Sequence, residues 1–236
     1  FTPYQDKFIY LMPYLVYKNA IQKEIKIKMY YQIIAYLHKK SFFIQSEDMS
    51  FFERQKENLL SLIQIRKDEF ERMMKEFEFK KYKAPSGWML VLNYYRIIEF
   101  LNQSRYYLSR YFESVKEKKE IRLSLIYHHF DLNHIFVEQQ KLISIDQMKI
   151  NYCIYDLVEL FQNQKDLYEC VALFDGYLEE IDLYQEEKLL LLCLLSIVPH
   201  VSLNEDENNN IQEMAKLICY MDGIVKIFKK IEIDEV

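Results

Sequence analysis

Residues 127–146 read YHHFDLNHIFVEQQKLISID and hold three of the chain's five histidines, two aspartates and an asparagine. Imidazoles and carboxylates at this spacing support more than one chemistry. Histidine moves protons near neutral pH and ligates borderline metal ions. Aspartate and asparagine supply the hard oxygen donors that magnesium requires. Read as a metal cluster, His128, His129, Asp131 and His134 would hold a Zn²⁺-like ion with four donors inside seven residues. That spacing matches no established zinc pattern, and neighbouring residues on a strand point to opposite faces. Read as a structural loop, the same His and Asn side chains would cap strands and bridge turns.

The elements that must position this stretch are mainly helical. The chain has 236 residues, half of them hydrophobic, and three glycines. That suffices for one or two domains with a real core, built from long helices with few tight turns. Tyr10–Tyr17 is apolar and aromatic with a proline inside, which reads as extended. Apolar residues at helical spacing predict helices over 19–38, 51–79 and 88–115. Ser50 and Ser86 stand as their expected N-caps, and 41–50 and 84–87 as loops. In the second helix Leu59, Leu62, Ile63, Phe70, Met73 and Met74 form the expected stripe. The aromatics of the third are expected in helix packing. Short β-compatible runs follow at 121–127, 135–137 and 142–145, separated by polar turns. Helical periodicity then returns over 153–162, 166–180, 185–198 and 211–230, with 204–210 as an acidic surface loop.

Composition narrows the function. A net charge of −5 disfavours a nucleic-acid partner. No apolar run reaches the roughly 18 residues of a membrane span, and Leu189–Val198 suits a buried helix. No basic segment leads into an apolar one, as a signal peptide would require. Cys153, Cys170, Cys193 and Cys219 lie among apolar residues without CxxC spacing, the pattern of buried free thiols in a reducing, cytoplasmic compartment. Glu179-Glu180 and Glu186-Glu187 are expected on solvated faces. His38 is expected to hydrogen-bond at a helix end.

Several short motifs around the cluster carry a resemblance. Tyr10-Leu11-Met12-Pro13-Tyr14 looks like the hinge of a two-lobed kinase. Tyr36-Leu37-His38 looks like the Leu-His that closes the helix after it. Ala84-Pro85-Ser86 resembles a Ser-Pro segment in inverted order. Leu142–Leu157 looks like a strand, a metal-binding Asp and a downstream Asp-Leu, and Leu183–Pro199 like the helix after it. Together they resemble the aminoglycoside phosphotransferase and choline kinase-like superfamily, closest to the spore-coat kinase-like branch of Firmicutes. The resemblance implies the helical C-terminal lobe of that α+β fold over residues 18–236, with a small β-ribbon carrying the catalytic-loop equivalent. Residues 1–17 would be hinge and remnant of an N-terminal lobe that is largely absent. The chain opens without an initiator Met or a glycine-rich loop, so upstream sequence is expected.

The family's loop reads H-G-D-x-x-x-x-N. Laid without gaps, Tyr127 takes the His position, His129 the catalytic Asp and His134 the metal-binding Asn, and Asp146 matches the later metal-binding Asp. In a second register His129-x-Asp131 restores the acid, and Asn133 serves the metal through a shortened loop. The ungapped register is preferred. In active relatives the Asp orients the substrate hydroxyl while Asn and Asp hold Mg²⁺ against the phosphates. Met12 and Tyr14 would meet the nucleotide, and Asp156 would brace the loop. Cofactors are then ATP and Mg²⁺ if catalysis survives, and none if it has been lost. The implied function is a spore-coat-type pseudokinase with a binding or structural role and a protein partner, in the cytoplasm or the spore coat. The rival is an active small-molecule phosphotransferase.

Overall fold

Leu189–Leu195 is apolar on every side, so the helix that contains it has no face to give to water. In the computed structural model this helix, α7 (Gln185–Ser196), is buried along that whole run. The structure describes residues 2–4, 7–9, 21–82, 84–163, 167–231 and 233. α7 packs on α3 (Pro85–Lys118), on α4 (Ile154–Asn163) and on α8 (Glu207–Phe228), and α2 (Met49–Phe79) pairs with α3 as a hairpin of long helices. α3 packs chiefly on α7, α2 and α8. Short helices α5 (Leu167–Ala172) and α6 (Asp175–Leu178) link α4 to α7 and pack on α1 (Lys23–Ser41).

The sheets are small and antiparallel. β1 (Thr2–Tyr4) pairs with β2 (Lys7–Ile9). β4 (Glu120–Ile126) lies between β3 (Phe43–Ser46) and β7 (Lys149–Asn151), with Phe43 opposite Leu123 and Leu125 opposite Ile150. β5 (Ile135–Phe136) and β6 (Lys141–Leu142) form a separate ribbon. The chain is thus mainly helical with minor antiparallel strands. Among the described residues no helix is long and apolar enough to cross a membrane.

Several local expectations need correction. Strand β3 lies inside the expected loop 41–50, selected by pairing with β4 although its own residues are exposed. Asp48, not Ser50, caps α2 by accepting from the Phe51 amide at 2.9 Å. α3 begins on Pro85, with Ala84 at the N-cap and Ser86 buried. The expected helix 166–180 breaks into α5 and α6, and α8 begins at Glu207, within the expected loop 204–210. Leu62 is exposed, as are Tyr95 and Tyr106, while Phe100 and Tyr111 enter the core. Cys219 is exposed, unlike the other cysteines.

The Glu186-Glu187 pair is the largest correction, since both side chains are buried. Glu187 takes a two-pronged contact from Arg122, 2.9 Å from Nε and 2.5 Å from Nη2, and Glu186 takes Lys118 at 2.9 Å. The Arg122 guanidinium is held between the rings of Phe42 and Tyr184, 4.2 and 3.7 Å from their centroids. Glu179 and Glu180 are solvated as expected.

Candidate functional site

β4 delivers its last apolar residue, Ile126, to the core, and the chain then turns at Tyr127 and His128 beneath α4. Two features force that turn. His128 sits in the left-handed region at φ 52°, a conformation that costs a non-glycine residue about 1 kcal/mol or more. Asp156, in the first turn of α4, offsets it by accepting both backbone N–H groups, Tyr127 at Oδ2 and His128 at Oδ1, each at 2.8 Å. The same Oδ2 lies 3.0 Å from Nε2 of His38, at the end of α1.

His38 and Asp156 are both fully buried. A carboxylate only accepts, so His38 carries a proton on Nε2, and its Nδ1 lies 2.9 Å from the Tyr177 hydroxyl. Burial pushes the Tyr177 hydroxyl and the Cys153 thiol far up, and the Asp156 and Glu187 carboxylates add to the rise of both. The chain Tyr177–His38–Asp156 therefore ends on the loop backbone. His38 fills its expected helix-end role, and Asp156 braces the loop.

Beyond the turn, the Tyr127 hydroxyl donates to the Ile143 carbonyl at 2.5 Å. With its proton committed there, its oxygen is left to accept Nδ1–H of His134 at 3.2 Å. His134 Nε2 lies 3.5 Å from the Ser144 hydroxyl, and Ser144 (φ 61°), like Gln140 (φ 51°), is a further non-glycine residue of the loop at positive φ. The His129 and His134 rings lie 4.9 Å apart, centroid to centroid, tilted by 30°. Burial first, then the carboxylates of Asp131, Asp156, Asp146 and Glu159, drive the Tyr127 hydroxyl well above its ordinary range.

The candidate residues have separate engagements. Asp131 accepts the Asn133 amide at 2.8 Å, capping a 3₁₀ turn over Leu132–His134, and Asn133 is exposed on that turn. Asp146 is exposed, in the 3₁₀ turn Ile145–Gln147, and takes the Gln147 side chain at 3.0 Å. His128 and His129 face solvent. Among the described residues no three His, Cys, Asp or Glu side chains converge to hold a metal ion. Met12 and Tyr14, like the boundary expected near residue 17, lie outside the described residues. No family model, curated protein or solved structure matches the chain.

Sequence reasoning missed Lys149 and Glu159. Lys149 donates to Nε2 of His128 at 2.7 Å, and Glu159 accepts the Phe130 amide at 3.2 Å. Glu159 carries a readable signal, because it stands one turn after Asp156 on the same face of α4. Lys149 carries none, since only the β4–β7 pairing brings it to the loop. A cleft of about 910 Å³ opens elsewhere, between α4, α5 and α8, lined by Tyr168, Lys216 and Tyr220 among others. No residue of 127–146 lines it.

Proposed function

We propose that the chain is the helical lobe of a kinase-like protein of spore-coat type, a pseudokinase that keeps its loop for binding a partner and not for phosphoryl transfer. One observation carries the reading. The Leu-His and Asp-Leu motifs, distant in sequence, meet as a hydrogen bond from His38 to Asp156, and Asp156 holds the loop at the two residues that precede the catalytic position. The backbone at His128 supports the ungapped register. The family pattern places its glycine there, and His128 adopts the left-handed conformation that glycine enters at no steric cost.

The chemistry at the remaining positions argues against transfer. His129 and His134 stand where Asp and Asn are expected, and imidazole is a poor substitute for the oxygen ligands of Mg²⁺. His134 is already engaged by Tyr127 and Ser144, and Asp131 by its own turn. Asp146 alone keeps an oxygen donor in its expected role. This donor set does not fit Mg²⁺. Instead the loop offers an exposed imidazole at His129 beside His134, on a backbone held by buried groups. A partner protein, of the spore coat or another assembly, is the ligand class this reading assigns.

The test uses the full-length protein, with thermal unfolding and ATP turnover measured with and without Mg²⁺. No turnover and no Mg²⁺-dependent stabilisation by ATP are expected. Turnover that disappears in Asp146→Ala would overturn the reading.

A further inference from the structure

We propose that Glu159 is a second anchor of the loop, a positioning residue that fixes His129 by holding the residues on both sides of it. Asp156 takes the amides of residues 127 and 128, and Glu159 Oε1 takes the amide of Phe130 at 3.2 Å. Between these anchored amides stands His129. The second oxygen, Glu159 Oε2, is sealed from solvent without a hydrogen-bond partner. Such an orphaned acceptor is costly and calls for a donor.

The donor within reach is His128, whose Nδ1 lies 3.4 Å from Oε2. The ammonium of Lys149 can only donate, so Nε2 of His128 accepts it at 2.7 Å. The neutral ring must then carry its proton on Nδ1, facing the orphaned oxygen. Glu159 therefore holds the Phe130 backbone with one oxygen and presents the other, 3.4 Å away, to the His128 ring. His129 is left with a restrained backbone and an exposed ring 4.9 Å from that of His134. The importance given to His129 rests on the function proposed above, whereas the anchoring geometry stands without it.

The experiment uses full-length protein carrying ¹⁵N-histidine, observed by NMR at about pH 8, where an ordinary imidazole is neutral. Wild-type His128 is expected as the Nδ1–H tautomer. Glu159→Gln keeps an acceptor for Phe130 but presents an amide donor to the ring. With Lys149 still donating to Nε2, the neutral ring cannot accept on both nitrogens, so one of the two contacts must break and the His128 ring-nitrogen shifts should move, while Phe130 keeps its exchange protection. Glu159→Ala should speed Phe130 amide exchange about tenfold or more and leave the amides of 127 and 128 protected. An Nε2–H tautomer in the wild type, or unchanged Phe130 exchange in Glu159→Ala, overturns the proposal. So does equal loosening of all three amides, the mark of a general stabiliser. Neither readout involves nucleotide, so ATP turnover would sink the pseudokinase reading without touching this one.

Discussion

The imidazole of His38 and the carboxylate of Asp156, 118 residues apart, meet at 3.0 Å with both side chains sealed from solvent. Asp156→Ala would leave His38 and the amides of Tyr127 and His128 without their acceptor at once. Breaking a buried polar pair from one side costs about 3–5 kcal/mol. The urea midpoint should fall accordingly, with far-UV circular dichroism unchanged before the transition. A loss below about 1 kcal/mol would mean that water replaces the carboxylate and that the brace is dispensable.

Asp131 distinguishes the two registers of the loop. It caps the 3₁₀ turn, so Asp131→Ala should cost about 1 kcal/mol in urea unfolding. Asp131→Asn should leave any measured ATP turnover unchanged. If His129-x-Asp131 were the working loop, Asp131→Asn would abolish turnover while stability stayed near that of the wild type.

Glu207 binds two helices together and makes that bond pH-sensitive. Its carboxylate takes the Ser86 backbone N–H at 2.8 Å and the Ser86 hydroxyl at 3.0 Å, supplying from α8 the cap that α3 lacks. The Ser86 amide is the main cause that holds this carboxyl below its ordinary 4.5. A carboxyl depressed in the folded state stabilises fully above 4.5, and the gain is lost as pH falls through the lower folded value. The urea midpoints of wild type and Glu207→Gln should therefore differ at neutral pH and converge in acid below the carboxylate range. A gap that persists in acid would show that charge plays no part.

Gly87 should reverse the usual helix rule. Replacing an interior helical glycine with alanine normally stabilises by about 0.5–1 kcal/mol. Here a Cβ on Gly87 would stand 2.3 Å from two ring carbons of Phe77. Gly87→Ala is expected to destabilise by about 1–3 kcal/mol through overpacking. Phe77→Leu combined with it should recover part of that loss in a double-mutant cycle. Simple additivity would remove the contact as the cause.

The helices were legible because burying one face imposes a period that survives in the sequence. Leu90, Ile97, Leu101 and Leu108 mark α3 that way. What depended on distant partners was not legible. Glu187 reads as solvated until Arg122, 65 residues away, is folded against it. Phe43–Ser46 reads as loop because β4 supplies its strand pairing. In the candidate site, the Asp156 brace was expected from the Asp-Leu resemblance. The engagements of Asp131, His134 and Asp146 were not foreseen, because proton positions and a left-handed residue at 128 are set by neighbours from three other elements. Glu159 was readable in principle, one turn beyond Asp156.

Encasing α7 has a price in time. The inner face of α3 is complete once Lys118 has been synthesised, but its principal cover ends at Ser196. At about 5–20 residues per second, a ribosome needs roughly 4–16 s to make the intervening chain. Throughout that interval the apolar side of the α2–α3 hairpin emerges with nothing to sit on. The nascent protein thus passes through a window in which holding chaperones compete with aggregation, and it closes only when α7 arrives.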